Sequence, residues 1–410
     1  MNKANNEKER CVIITGGETF NKGAQAMTFV TVDKIKKMFP DNKIVLLSGR
    51  DYKRKEDDEK IYNFEVLPTG LGYNMYFLGG LYRLLSLVSG KVKCTKGTLK
   101  AISERYEKSD AIIDISGFAL SSQWGIKSTV NFLLNIAVAK KHKIPIYLMP
   151  QSFGPFQFTG LKKLIFNFLM KKYLTYPSKI YCREKEGFEY LKEYTRENLE
   201  LSLDLVLLNK EIDLKNIYLK QMEFQDIVVK ENSVGIIPNM RNFEHGNKEN
   251  IIVLYKRIIN RLLDKDKFVY LIRHSYEDIE ACKTIKEMYG DNEKVILVVD
   301  ELSCIEFENI IKKFEYVIAS RYHSIVHCYK NAIPCISLGW ATKYYELLKN
   351  FKQLDYMLDV RTEDRFNKIE EIIDKMDEEF VKNSKVISNI LKSVDKKDIF
   401  GVIRKYEENE

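Results

Sequence analysis

The chain has 410 residues, which at roughly 150 per domain predicts two to three domains and is long enough to bury a full core without disulfide or metal staples. Hydrophobic residues make up 45% and charged residues 30%, with eight prolines and twenty glycines, a balance that excludes disordered, collagen-like and linker-rich architectures. The net charge of +8 is mild for this length; it suits an anionic ligand or membrane surface and is too diffuse to argue for nucleic acid.

The predicted elements alternate between short apolar runs and helical patterns. Strands are expected at Cys11–Thr15, Lys43–Leu47, Ala111–Ile115, Ile144–Met149, Lys179–Cys182 and Leu199–Leu203, with a helix over Ala24–Phe39. β-Branched runs alternating with helices indicate βαβ units and a parallel sheet. Residues 209–232 are charged and break the rhythm, which marks an interdomain connection. The rhythm restarts with strands at Ser233–Ile237, Phe268–Ile272, Val295–Val299, Tyr316–Ala319 and Ile333–Ser337, with helices over Ile251–Asp264 and Ile305–Phe314. The fold class is therefore α/β, with two Rossmann-like doubly wound domains facing a central cleft. Residues 1–208 form the first domain, 233–367 the second, and 368–410 a charged helical tail.

Seven cysteines, at 11, 94, 182, 282, 304, 328 and 335, include no CxxC pair. An odd number inside apolar runs reads as reduced, buried thiols. The polar start MNKANNEKER lacks a signal-peptide core, and no run of 18 uncharged apolar residues follows, so a cytoplasmic location is expected. Gly70–Gly90 carries one charge, Arg83, and is followed by Lys91, Lys93, Lys96 and Lys100. It reads either as a buried helix or helical hairpin, or as an interfacial patch at an anionic membrane.

In doubly wound sheets ligands bind beyond the carboxyl ends of the strands. The polar loops there hold Gly17, Asn21 and Gly23 after the first strand, then Ser116–Gly117 and Gln151–Ser152. In the second half they hold Arg241, His274, Ser320–His323 and Lys343. Glycines in such loops also serve tight turns. Ser320 is the expected N-cap of the next helix, with Arg321 and His323 in its first turn. A helix mouth favours an anion, and an arginine there opposes the dipole unless an anion completes the site; the alternative is an arginine paired with a structural carboxylate. His323 is the better candidate for proton transfer, and His327 for a core position. His323 and His327 are four apart, but no third ligand accompanies them, so no metal site is expected. No GxxxxGK[ST], GxGxxG, GxSxG or HExxH motif occurs.

From Cys11 to Phe351 the sequence resembles the polysaccharide pyruvyl transferase family. The resemblance rests on GGETFNKGAQAM, DAIIDISGFAL, IYLMPQSFGPF, the CREKEG and LDLVL segments, and SRYHSIVHCYKNAIPCISLGWATK. Gln25 and Ser116 depart from the family's usual acidic residue and Gly-Gly. The resemblance implies a glycosyltransferase-B-type fold. It also implies transfer of pyruvate from phosphoenolpyruvate, a co-substrate and not a cofactor, to sugar hydroxyls of a cell-surface polysaccharide or lipid-linked precursor, as a ketal. It places Arg321 and His323 at the donor as catalytic residues, with Arg241, Ser320, Tyr322, His274 and Lys343 around it. Gly17, Asn21, Gly23, Ser116, Gly117, Gln151 and Ser152 would face the acceptor. The expected partners are phosphoenolpyruvate, the saccharide acceptor and an anionic membrane at the cytoplasmic inner face. The competing readings are a nucleotide-sugar glycosyltransferase of the same fold and a non-catalytic glycan- or anion-binding member.

Overall fold

A computed structural model describes residues 9–53, 61–88, 95–209, 211–245, 247–394 and 398–403. In chain order the first half runs β1 (Cys11–Thr15), α1 (Lys22–Met38), β2 (Lys43–Ser48), β3 (Glu65–Pro68), α2 (Leu71–Leu78), α3 (Gly80–Val88), α4 (Lys96–Glu107), β4 (Ser109–Asp114), α5 (Gly125–His142), β5 (Ile146–Gln151), α6 (Gly160–Tyr173), β6 (Lys179–Cys182), α7 (Lys185–Leu191), β7 (Leu199–Leu201) and α8 (Leu205–Leu208). The second half runs β8 (Ser233–Ile237), α9 (Met240–His245), α10 (Lys248–Asp264), β9 (Phe268–Ile272), α11 (Ile279–Glu287), β10 (Val295–Val298), α12 (Cys304–Ile311), β11 (Tyr316–Ala319), α13 (Tyr322–Lys330), β12 (Cys335–Gly339), α14 (Thr342–Asn350), β13 (Met357–Asp359) and α15 (Ile369–Ser393).

Two parallel sheets result. The first has the order β3-β2-β1-β4-β5-β6-β7 and the second β10-β9-β8-β11-β12-β13. The central strands are buried on both faces, which is why they read as continuous apolar runs such as CVIIT and SVGII. Strand order reverses between β1 and β4 and between β8 and β11. The two switch points open crevices at the carboxyl edges.

On one face of the first sheet, α2, α4, α5 and α6 bury Tyr73, Phe77, Ile102, Phe132 and Met170. On the other, α1 and α8 meet α12 and α13 of the second sheet, and one apolar cluster runs through Met27, Leu205, Phe307 and Ile325. Helix α15 packs on α10, stapled by Arg257–Glu370 and Arg261–Asp374 pairs, both at 2.6 Å. Beyond it Ile399, Phe400 and Ile403 join the cluster containing Tyr181 of β6, whose hydroxyl donates to the Ile399 carbonyl at 3.4 Å.

The segment 70–90 divides into two kinds of helix. Helix α2 is partly core, whereas α3 buries only Ser86 and exposes its leucines. Lys91, Lys93 and Cys94 lie outside the described residues, as do residues 1–8 and 404–410. The other six cysteines are buried and free. Among the described residues no helix is long and apolar enough to cross a membrane.

Candidate active site in the interdomain cleft

A cavity of about 440 Å³ separates the two carboxyl edges. The first domain contributes Phe118, Trp124, Ser152 and Glu184; the second contributes Trp340, Lys343 and Arg361. The size is that of a small-molecule site.

Lys343 begins α14 and is half-buried. Its ammonium lies 4.9 Å from the Phe118 ring centre and 5.6 Å from those of Tyr322 and Tyr344. It has no hydrogen bond or ion pair among the described residues. Burial, then the nearby Arg183 guanidinium, push its pKa down to about 7. Glu184 opposes these effects in part, and an anion in the cavity would raise the pKa further.

Beside Lys343 runs a buried polar chain that crosses the domain boundary. Arg183, just beyond β6, donates to Asp204 Oδ2 at 2.6 Å, to the Gly117 carbonyl at 2.8 Å and to Ser152 Oγ at 2.8 Å. Its guanidinium stacks on the Tyr322 ring at 4.5 Å. Ser152 Oγ donates to Glu184 Oε1 at 2.7 Å. Burial raises the Glu184 pKa even beside Arg183. Asp204 is fully buried; burial pushes its pKa up, but His323 and Arg183 outweigh this and hold it low. His323 Nε2 lies 3.6 Å from Asp204 Oδ2, an ion-pair distance that tightens if the ring is protonated. Burial keeps the ring's own pKa low.

Several expected placements need correction. Ser320 is not the cap of α13: the chain stays extended through Arg321 (φ −102°, ψ 131°), which is the N-cap, so the helix starts a residue later. The Ser320 hydroxyl bonds the Tyr255 hydroxyl at 2.9 Å and is fully buried, away from the cavity. Arg321 does not stand free. Asp278 accepts from its Nε at 3.0 Å and its Nη2 at 2.6 Å, and Glu277 lies 3.5 Å from Nη2. The structural-carboxylate alternative thus describes this conformation. Arg241 sits at the same acidic pair, 3.9 Å from Glu277. His274 is buried, with no hydrogen-bond partner for either ring nitrogen among the described residues, edge-on to Phe307 at 5.2 Å. Burial, then Arg321, hold its pKa well below the usual value. It backs the site from inside the fold. Tyr322 is also buried, as the platform under Arg183.

The residues expected to face the acceptor divide. Ser152 lies on the interdomain cavity. Gly17 and Ser116 line a second, polar cavity of about 350 Å³ at the ends of β1, β2 and β4, with Glu18, Arg50, Asn74, Asp114 and Asn131. Asp114 is fully buried, which raises its pKa; Thr15, Ser116, Asn135 and Gln151 all donate to it. Gln151 is completely buried behind it, so it supports that cavity from below. Asn21 caps α1, accepting from the amides of Gly23 and Ala24. Gly23 faces His323: a Cβ there would come 2.2 Å from its Cγ. The buried Gly117 holds Arg183 through its carbonyl and has φ +69°. Arg183, Glu184 and Asp204 received no role from the sequence, although they stand just beyond strand ends in CREKEG and LDLVL. Among the described residues no group of three or more His, Cys, Asp or Glu is placed to hold a metal ion.

Two parallel-sheet domains closed over a cleft make this a glycosyltransferase-B-type protein. Its fold is similar to that of UDP-GlcNAc 2-epimerase from Methanocaldococcus jannaschii (15% identity, TM-score 0.53, 88% of this chain and 92% of that one). It is equally similar to the Neisseria meningitidis UDP-GlcNAc 2-epimerase bound to UDP-GlcNAc (11%, 0.55, 98% and 99%) and to the trehalose-6-phosphate synthase OtsA (7%, 0.54, 98% and 98%). At such identities the likeness is one of fold. The chain belongs to the polysaccharide pyruvyl transferase family, whose sequence profile matches residues 21–342. It is thereby a member of a transferase family.

Proposed function

We propose that the interdomain cavity binds phosphoenolpyruvate and that the enzyme transfers its pyruvyl group to two hydroxyls of a saccharide, releasing phosphate. The observation that carries this reading is Lys343: a lysine on the cavity wall, boxed by three aromatic rings and, among the described residues, with no anion in ion-pair contact, in a chain of this family. A donor with a carboxylate and a phosphate supplies that anion. Lys343 takes one charge, and Arg361, itself paired with Asp359 at 2.6 Å, lies on the same cavity wall.

The chemistry then divides among the neighbours. Protonating the donor's methylene carbon leaves an oxocarbenium-like centre at the adjacent carbon. One sugar hydroxyl adds there, phosphate departs, and the second hydroxyl closes the ketal. Of the two hydroxyl protons, one balances the proton placed on the new methyl group and the other leaves with phosphate. Glu184, on the wall with its pKa raised, suits the general acid. His323, set against Asp204, suits the base. The acceptor enters from the first domain, where Gly17, Glu18 and Ser116 line the polar cavity.

Calorimetry with phosphoenolpyruvate and with UDP-sugars tests the donor, and phosphate release tests turnover. Glu184→Gln should lower turnover by about 10²–10⁴ while donor affinity stays within a few-fold. Tight UDP-sugar binding without phosphoenolpyruvate binding would establish instead a nucleotide-sugar enzyme on this fold.

A further inference from the structure

We propose that the first domain carries a docking surface for an anionic lipid bilayer, built from the exposed apolar faces of α3 and α6 and the lysines around them. The charge pattern is the first observation. Residues 66–103 and 115–183 contain no Asp or Glu. The chain has 58 acidic residues in 410, one in seven, so about 15 would fall in those 107 positions by average composition. The same positions hold 15 Lys or Arg, of which Arg183 alone belongs to the buried network described above. Helices α2, α5 and α6 and the start of α4 come from these stretches, and they cover one face of the first sheet.

The second observation is what α3 and α6 do not bury. Helix α3 exposes Leu81, Leu84, Leu87 and Val88, the last at 79%. Helix α6 turns only Phe166 and Met170 inward. Its Leu161, Leu164, Ile165 and Phe168, spaced i, i+3, i+4 and i+7, form a second apolar stripe facing outward, with Leu161 72% exposed. Lys162, Lys163, Lys171 and Lys172 are exposed on the same helix, Lys127 on α5, which packs against it, and Lys96 and Lys100 on α4. Outward apolar stripes amid lysines match the layered chemistry of a bilayer: apolar side chains reach the acyl boundary while ammonium groups meet lipid phosphates. A second copy is a poor occupant, because an isologous contact would press like charges together. Trp124 lies on the cavity wall and Ile126, on the first turn of α5, is exposed beside it, which puts the cavity mouth next to this face. That proximity suits a lipid-linked acceptor and rests on the function proposed above; the surface itself does not.

Co-sedimentation with vesicles, without donor or acceptor, tests the surface independently of catalysis. The protein should pellet with phosphatidylcholine vesicles containing phosphatidylglycerol, not with phosphatidylcholine alone, and release at high salt. Each of Lys162 and Lys163 changed to Gln should weaken partitioning about fivefold. Leu164→Ser with Phe168→Ser should weaken it further. Unchanged melting temperatures would show the variants to be folded. The proposal is overturned by equal recovery with and without anionic lipid, or by variants that bind as well as the parent. It is likewise overturned by a self-association that these substitutions abolish in the absence of vesicle binding.

Discussion

Lys343 sets the pH behaviour expected of the proposed donor site. Its pKa of about 7 in the fold lies below the ordinary lysine value of about 10.4. Between those values the unfolded chain holds a proton that the folded one does not. Lys343 therefore contributes stability that increases with pH from about 7 to about 10. Donor binding runs the other way, because an anion prefers the charged ammonium. From pH 7 to 9, above the second phosphate ionisation near pH 6, phosphoenolpyruvate affinity should fall with rising pH. Proton uptake should accompany binding, measured by calorimetry in buffers of different ionisation heat. Lys343→Met should weaken binding and remove this slope; Lys343→Arg should keep binding and flatten it. An unchanged slope in Lys343→Met would place the titrating group elsewhere. Nothing in the local sequence announces this lysine's environment, since Phe118 reaches it from the other domain. Arg321 is similar: its partner Asp278 lies 43 residues away, so the loop motif located the arginine and not its occupancy.

At the scale of elements, legibility followed burial. β1, β6, β8, β9 and β11 were readable to the residue because each is a short apolar run. The expected strand at Ile333–Ser337 in fact spans Cys335–Gly339, because Ala332 turns with φ +57° and Pro334 precedes the ladder. Edge strands β3 and β13 were missed, since EVLP and MLD are too short and mixed to show a period. The start of α1 illustrates a constraint invisible in sequence. Gly→Ala inside a helix ordinarily stabilises by about 0.5–1 kcal/mol. At Gly23 the added Cβ would collide with His323. Gly23→Ala should instead destabilise by about 1–3 kcal/mol and reduce turnover by displacing the imidazole. Thermal melts and phosphate release would measure both, and a stabilised, fully active variant would refute the contact.

For the whole molecule, the shared cluster between α1, α8, α12 and α13 binds the domains by apolar burial more than by charge. The chain's return at Ile399–Ile403 extends that cluster to Phe400, 1% exposed. Phe400→Ala should cost about 3–5 kcal/mol, seen as a lower denaturation midpoint. Its effect on donor affinity should be small, because Phe400 is not on the cavity wall. A normal midpoint would mean that the tail contributes no stability.

The chain passes between the domains twice, once between α8 and β8 and again between α15 and Ile399. A single tether lets one body swivel about any direction. Two tethers act like the paired pins of a door: they leave opening about the line between them and resist twisting. With the shared apolar cluster between them, that pairing should hold Lys343 and Phe118 in one fixed relation across the cleft.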